Sequence, residues 1–166
     1  SIVMYIDAKE PTNLFTHYKV SKVVDGDGLY CYNIFNKTEI EIRLLGIDAP
    51  EIKRCRKLKQ DERELHLPGQ LLIQLGYQSK NYLHQLLPIG TDITFITEIN
   101  NEIDLFGRTL AYVITSDGTC INEKLIMEGY AKPYDKFYST KLSTYQQLNF
   151  SARAQNKGLY SIVNSF

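Results

Sequence analysis

The sequence predicts a mainly β (α+β) fold, a small five-stranded Greek-key barrel with about three helices packed on it. Three strand-like segments precede a helix-like one and two more strands, and this order is compatible with a barrel that carries a helix across one end. The chain has 166 residues and 43% hydrophobic content, the size of one domain with one core. We therefore expect a single domain over residues 1–166, with a core at about 18–160 and an N-terminal extension at 1–17.

Runs rich in β-branched and aromatic residues, bounded by turn residues, mark the strands. The predicted ranges are 18–24, 29–34, 39–45, 93–98 and 109–115. The first three form a meander, with Asn36 and Lys37 in the turn between the second and the third.

Apolar residues at helical spacing mark three helices. One is predicted over 69–87, where Gly76 could interrupt it, and a short one over 122–128. A last helix ends at Gly158. The apolar face of that helix consists of Leu142, Tyr145, Leu148 and Ala152.

The stretch from Arg43 to Glu51 carries the clearest chemical signal. Arg43 shares one face of an extended segment with apolar residues, so we expect it to be buried beside an anion. The alternative is a weak surface ion pair with an acidic residue of its own strand. Pro50 keeps the preceding residue extended, which places Asp48 and Glu51 on a rigid turn. Rigid carboxylates beside a guanidinium predict a phosphate site.

Two other segments carry the same residue types. The turn from Asp25 to Gly28 holds two aspartates near its tip, because its glycines allow the backbone to turn tightly. The segment from Asp104 to Arg108 offers a second arginine before a strand. Each motif alone also fits an ordinary turn or helix start. Their coincidence in one chain favours a common site.

Carboxylate oxygens without a histidine or cysteine cluster suit a hard cation, Ca²⁺ or Mg²⁺. Such an ion and two guanidiniums would neutralise the charge that develops when water attacks a phosphodiester. Glu51 would accept a proton from that water or orient it. The residues therefore predict metal-assisted phosphodiester hydrolysis.

These segments resemble the staphylococcal nuclease-like (thermonuclease) domain family. The resemblance rests on Val24-Asp25-Gly26-Asp27, on Arg43 through Glu51, on Asp104 through Arg108, and on Asn122 to Leu125 followed by Gly129 to Ala131. The blocks occur in the family's order and cover about residues 18–160. The resemblance implies an OB-fold and an enzyme that cleaves DNA or RNA with little sequence preference and leaves 3′-phosphate ends.

The resemblance also implies roles for individual residues. The catalytic residues would be Arg43, Glu51 and Arg108. The ligands of one Ca²⁺, with Mg²⁺ as the other possible ion, would be Asp27, Asp48 and the backbone carbonyl of Ala49, with Asp25 in the outer shell. Tyr134 would stack on a base or bind a phosphate, and a core role is the alternative. Gly28 and Phe106 replace a threonine and a tyrosine of the family, which could weaken metal binding and remove one phosphate contact.

Acidic and basic residues are equal in number, 19 each, so attraction to nucleic acid must come from local clusters of charge. One basic cluster opens the segment 52–67, which we predict to be a long loop. The hypothesis is that this cluster grips the sugar-phosphate backbone beyond the scissile bond, and the alternative is a solvated loop. The residues concerned are Lys53, Arg54, Arg56 and Lys57.

Two classes of function stay open. The first is an active nuclease whose substrate is single-stranded or locally melted DNA or RNA, and the second is a non-catalytic OB-fold module that binds nucleic acid. Inactive copies of such domains typically lack an arginine or a carboxylate of the site. This chain keeps them, which favours the enzyme, and we expect a monomer.

Cysteine spacing and hydropathy give less information about the function than the charged motifs do. Cys31, Cys55 and Cys120 cannot all pair and form no zinc-like pattern, so we expect free buried thiols. No apolar run approaches the roughly 20 residues that span a membrane, and no basic-then-apolar leader is visible at Ser1. The resemblance is compatible with secretion or a location at the cell envelope.

Overall fold

A computed structural model describes residues 11–136 and 138–166. Its centre is a closed barrel of five strands: β1 (Thr12–Asp25), β2 (Gly28–Asn33), β3 (Glu39–Leu44), β5 (Asp92–Glu98) and β6 (Thr109–Thr115). The order around the barrel is β1-β2-β3-β6-β5, and only β3 and β6 run parallel. Two short strands, β4 (Ile47–Asp48) and β7 (Lys132–Pro133), pair outside it. The predicted α+β fold with an OB-type barrel is confirmed.

The strand β1 is longer than predicted. Residues 12–17, which we assigned to an N-terminal extension over 1–17, belong to β1, and residues 12–15 pair with β5, where the rings of Phe15 and Phe95 stack at 4.8 Å. His17 has a φ of 66°, and the register shifts between Phe15 and Tyr18. This irregularity interrupts the alternation of apolar and polar residues that marks a strand. The predicted strand therefore began at residue 18 instead of residue 12. Residues 1–10 of the predicted extension lie outside the described residues.

Four α-helices are present in the described ranges: α1 (Arg56–Leu65), α2 (Gly69–Leu86), α3 (Ile121–Met127) and α4 (Leu142–Ala154). A 3₁₀ turn over Gly158–Ser161 follows α4. The predicted three helices correspond to α2, α3 and α4, although α4 ends before Gly158.

The helix α1 replaces the loop that we predicted over 52–67. The thiol of Cys55 accepts a hydrogen bond from the Leu58 backbone N–H at 3.4 Å, as an N-cap does, and His66 ends the helix in the left-handed conformation. Leu58 is the one fully buried residue of α1. The periodic signal is weak because the other positions are mostly charged or polar, and the loop prediction was wrong for that reason.

Two apolar clusters hold the molecule together. The larger fills the barrel and extends to α3 and Tyr145 of α4. The smaller packs Leu58 of α1 and Leu72 and Leu75 of α2 against Ala152 and the C-terminal residues. The helix α1 is therefore fixed to the body of the domain through its apolar side.

The helix α2 is continuous through Gly76, so the predicted interruption is absent. A Cβ at Gly76 would lie 2.6 Å from the Pro50 carbonyl oxygen and 2.8 Å from that of Glu51. The glycine therefore allows α2 to pack directly against the backbone of the turn that carries Asp48 and Glu51.

Cys31 and Cys120 are buried free thiols, as predicted, but Cys55 is exposed at the start of α1. In residues 11–136 and 138–166, the helices lack the combination of length and apolar character that crossing a membrane requires.

Candidate active site

A cavity of about 500 Å³ collects side chains from the β1–β2 turn, β3, the β3–β4 turn, α1, the β5–β6 connection and the segment after β7. Its charged lining has six acidic and three basic residues: Asp25, Asp27, Glu41, Asp48, Glu51, Asp104, Arg43, Lys57 and Arg108. Tyr134 also lines it, whereas Lys53, Arg54 and Arg56 do not and are exposed. The lining is thus mixed in charge, with an excess of carboxylates.

Arg43 is almost enclosed, with 12% of its side chain exposed. Its Nη1 donates to the carbonyl oxygens of Leu44 at 2.8 Å and Ile47 at 2.7 Å. Its Nη2 lies 3.4 Å from both Asp27 Oδ2 and Asp48 Oδ1. The guanidinium therefore fixes the turn between β3 and β4 and places two aspartates on one side of itself.

Asp27 is buried at the β1–β2 turn, and its Oδ2 accepts a hydrogen bond from the Ala49 backbone N–H at 2.9 Å. Burial raises the pKa of Asp27 to about 6, although Arg43 opposes this effect, and Asp25 adds to it. One guanidinium shared with Asp48 does not compensate the charge of Asp27. A cation near Asp27 would be favourable in this environment.

The turn that holds Asp27 depends on its neighbours. Asp25 Oδ1 accepts a hydrogen bond from the Asp27 backbone N–H at 3.1 Å. A Cβ at Gly28 would approach that same oxygen to 3.0 Å, and a Cβ at Gly26 would lie 2.6 Å from the Cβ of Ala49. The Asp25 side chain therefore packs against Gly28. This is the position at which the family has a threonine.

Lys57 lies deeper in the site than its position in a basic run suggested. Its Nζ is 3.1 and 3.0 Å from the two carboxylate oxygens of Asp48, 3.5 Å from Glu51 Oε1 and 3.4 Å from Asp61 Oδ2. Burial would lower the pKa of Lys57, but Asp48 and the other carboxylates outweigh it and raise that pKa. We predicted Lys57 as a substrate-binding residue, whereas its contacts in this structure are with acids of the site.

Glu51 follows Pro50 on the turn packed against α2, and 29% of its side chain is exposed. Burial raises the pKa of Glu51, Lys57 lowers it, and Asp27 and Asp48 raise it further. A carboxylate with a raised pKa beside a cavity is suited to accept a proton.

Arg108 is held by Asp104 in the β5–β6 connection. Its Nε is 2.7 Å from Asp104 Oδ2, and the backbone N–H groups of Arg108 and Phe106 donate to Asp104 Oδ1, both at 2.9 Å. Burial alone would raise the pKa of Asp104, but these bonds lower it. Because the ion pair uses Nε, it does not consume the terminal nitrogens of Arg108, and a phosphate could take them.

Tyr134 directly follows β7 in the chain and lies beside Arg43 in the cavity lining. Its backbone N–H donates to the Gly46 carbonyl at 2.9 Å, and its ring centroid is 5.4 Å from the Arg43 guanidinium carbon. Tyr130, by contrast, stacks on Tyr82 at 4.2 Å beside the core. Of these tyrosines, Tyr134 is the one at the cavity.

The side chains that line the cavity can be compared with the ligands that a divalent cation requires. Within the two described ranges, no three or more His, Cys, Asp or Glu side chains surround a common point as metal ligands do. The chemistry of the donors nevertheless fits a hard cation, because the lining has excess carboxylate oxygens and Asp48 and Glu51 already hold a cation, the ammonium of Lys57. The two buried aspartates Asp27 and Asp48 stay the predicted ligands of such an ion.

Sequence reasoning missed two residues that position the site. Asp61 pairs with Lys57 at a spacing of four residues, a signal that becomes visible only if α1 is recognised as a helix. Gly76 packs against the Glu51 backbone. A glycine within a helical pattern does not by itself predict that contact. Asp104 was noted only as part of a motif, yet it holds Arg108 in place.

The fold is a five-stranded OB-type barrel, and its cavity joins several carboxylates with two arginines. Residues 41–162 match the sequence model of the family described as staphylococcal nuclease homologue. The chain belongs to this family.

Three relatives are informative. The chain is 32% identical over 146 residues to Endonuclease YhcR of Bacillus subtilis, covering 87% of this chain and 11% of that protein. It is 30% identical over 161 residues to Uncharacterized protein MJ1439 of Methanocaldococcus jannaschii, with 90% and 74% covered. It is 28% identical over 145 residues to an Uncharacterized endonuclease of Escherichia coli O157:H7, with 87% and 77% covered. The family and the relatives named endonuclease support nuclease activity in general.

Proposed function

We propose that the chain is a divalent-cation-dependent phosphodiesterase that hydrolyses DNA or RNA with little sequence preference. Ca²⁺ is the proposed ion, with Mg²⁺ as the alternative, and the proposed products carry 3′-phosphates. One observation carries the proposal: Arg43, Arg108, Glu51 and two buried aspartates line a single cavity although they come from three separate segments of the chain. The names of two relatives as endonucleases agree with it.

The proposed substrate is a single-stranded or locally melted segment. The charged groups of the cavity suit phosphate, which carries no base code, so little sequence preference is expected. Leu105 and Phe106 at its edge are 90% and 83% exposed, and an exposed aromatic ring such as that of Phe106 can stack on an unpaired base. A base paired in a duplex would not offer that face.

The two arginines have different tasks in the proposed mechanism. Arg108, oriented by Asp104 through Nε, binds a non-bridging oxygen of the scissile phosphate with its terminal nitrogens. Arg43 is enclosed by carbonyls and aspartates, so it positions Asp27 and Asp48 and adds positive charge beside the phosphate.

Glu51 accepts the proton of the attacking water, because it is the partly exposed carboxylate of the cavity whose pKa is raised by burial. Asp27 and Asp48 would hold the divalent ion, which would supply Lewis-acid stabilisation of the negative charge on the phosphate oxygens. Tyr134 packs against Arg43 and presents a ring and a hydroxyl to the nucleotide.

The test is to incubate the chain with single-stranded DNA and single-stranded RNA in Ca²⁺, in Mg²⁺ and in excess chelator, and to analyse the fragment ends. The proposal expects cleavage with the divalent ion, none in chelator, and ends that a 3′-phosphatase can process. Full cleavage in excess chelator would refute the metal requirement. Tight binding without cleavage under every condition would favour the non-catalytic module.

A further inference from the structure

The ammonium of Lys57 is the centre of the acidic cluster in this structure. It contacts both oxygens of Asp48 at 3.1 and 3.0 Å, and the nearest oxygens of Glu51 and Asp61 are 3.5 and 3.4 Å away. A side-chain cation thus stands among carboxylates of which one, Asp48, is a proposed ligand of the divalent ion.

Lys57 and a divalent ion would compete for these oxygens. Ca²⁺ binds carboxylate oxygens at about 2.3–2.6 Å, and an ammonium within hydrogen-bond distance of the same oxygens would repel it. Asp48 Oδ1 additionally faces Arg43 Nη2 at 3.4 Å. Binding of a divalent ion to Asp48 is therefore favoured when Lys57 withdraws.

Lys57 has a place to which it can withdraw. Asp61 lies one helical turn further along α1 and already contacts the Lys57 Nζ. The Lys57 side chain is 31% exposed, and its four-carbon stem is flexible, so a rotamer change can move the ammonium without moving α1. The backbone of α1 is fixed meanwhile by Leu58 in the smaller apolar cluster.

We propose that Lys57 is a tethered cation that neutralises the site in the absence of metal and competes with the divalent ion for Asp48. The inference rests on the proposed function, because it takes Asp48 as a metal ligand. Its consequence is regulatory: the affinity of the site for Ca²⁺ is lowered by the free energy needed to displace Lys57, so the site fills only at a higher concentration of the ion than its carboxylates alone would require.

The first test measures binding of Ca²⁺ to the whole chain by calorimetry, without substrate, for the wild type, Lys57→Gln and Lys57→Arg. Lys59→Gln is the matched control, because Lys59 is an exposed lysine of the same helix and its loss changes the net charge equally. We expect Lys57→Gln to bind Ca²⁺ at least tenfold more tightly than Lys59→Gln, and Lys57→Arg to show no such gain. Equal or weaker binding by Lys57→Gln would overturn the proposal.

A second measurement uses the wild-type chain alone, in case Lys57→Gln does not fold. Acetylation of lysines by an amine-reactive reagent is followed residue by residue by mass spectrometry, with and without saturating Ca²⁺. Release from Asp48 and Glu51 should increase the rate at Lys57 several-fold relative to Lys59. An unchanged or lower rate at Lys57 would contradict the displacement.

The two proposals fail in different ways. If the wild type and all variants bind no Ca²⁺, both this inference and the metal requirement of the proposed function are wrong. If Lys57→Gln binds Ca²⁺ more tightly but neither protein cleaves nucleic acid, the competition stands and the nuclease proposal fails.

Discussion

Arg43 and Arg108 have similar charges but different surroundings. Arg43 donates to two backbone carbonyls and faces two buried aspartates, whereas Arg108 pairs with Asp104 and lies over the Phe106 ring at the edge of the cavity. Removing Arg43 takes a counter-charge from two buried carboxylates, which is costly. Removing Arg108 leaves Asp104, whose side chain is only 4% exposed, with its two backbone N–H donors, so we expect a smaller loss. The two arginines should therefore differ in their effect on stability.

We predict that Arg43→Ala lowers the free energy of unfolding by about 3 kcal/mol, and that Arg108→Ala lowers it less, by about 1–2 kcal/mol. Both should reduce cleavage, Arg108→Ala by about 100-fold or more. Urea denaturation and cleavage assays measure these effects. Arg153→Ala, on α4 and outside the cavity lining, is the matched control. Normal cleavage by Arg108→Ala would exclude its proposed role.

Asp27 gives a prediction about pH. Because the pKa of Asp27 is raised to about 6, the folded protein binds more protons than the unfolded chain between about pH 4 and pH 6, and its stability falls as the pH rises through this range. Asp27→Asn lacks this titration. In chelator, the variant should gain on the order of 2–3 kcal/mol relative to the wild type between pH 4 and pH 7. Parallel stability profiles would show that Asp27 is not destabilised by burial.

Single residues were the most predictable part of the site. Carboxylates beside Pro50 and an arginine on an apolar face are local patterns, and they indicated which residue types belong together. The sequence could not indicate that Lys57 rather than Arg54 or Arg56 reaches the acids, because this choice depends on the helical phase of α1. A run of basic residues in the sequence does not show which of them lie on the side of the helix that faces the site.

At the level of elements, the site depends on how α1 and α2 hold the turn after β4. Gly76 brings α2 against the backbone of Pro50 and Glu51, and α1 carries Lys57 toward Asp48. Neither contact follows from secondary-structure patterns, because both depend on the packing of helices that are remote from the barrel strands. The barrel itself was predictable, since its strands show the alternation that a pleated, half-buried sheet requires.

Gly76→Ala tests the contact between α2 and the turn. In a helix without tertiary contacts, this change would stabilise by up to about 1 kcal/mol. Here the new Cβ would lie 2.6 Å from the Pro50 carbonyl oxygen, so we expect a net loss of stability and a weaker affinity for Ca²⁺ as the turn shifts.

The control for this change is Gln78→Ala, an exposed position of the same helix, which should leave both properties within error. Urea denaturation and calorimetry measure them. A stabilised Gly76→Ala protein with unchanged Ca²⁺ affinity would mean that the turn is not positioned through this glycine.

On the scale of the whole molecule, charge is balanced overall but not locally. The chain has 19 acidic and 19 basic residues, yet the cavity lining has twice as many acids as bases. A polyanion would be repelled by such a lining unless a cation joins it, and this imbalance is the physical basis for the proposed metal requirement. Composition alone gave no sign of it, because the imbalance arises only when distant segments meet.

The most direct test of the central claim, that this cavity performs the hydrolysis, is a comparison of turnover and substrate affinity for the wild type and Glu51→Gln on single-stranded DNA in Ca²⁺. We predict that Glu51→Gln lowers kcat by about 100-fold or more while Kd for the substrate stays within about threefold. Unchanged turnover would place the chemistry elsewhere and contradict the account.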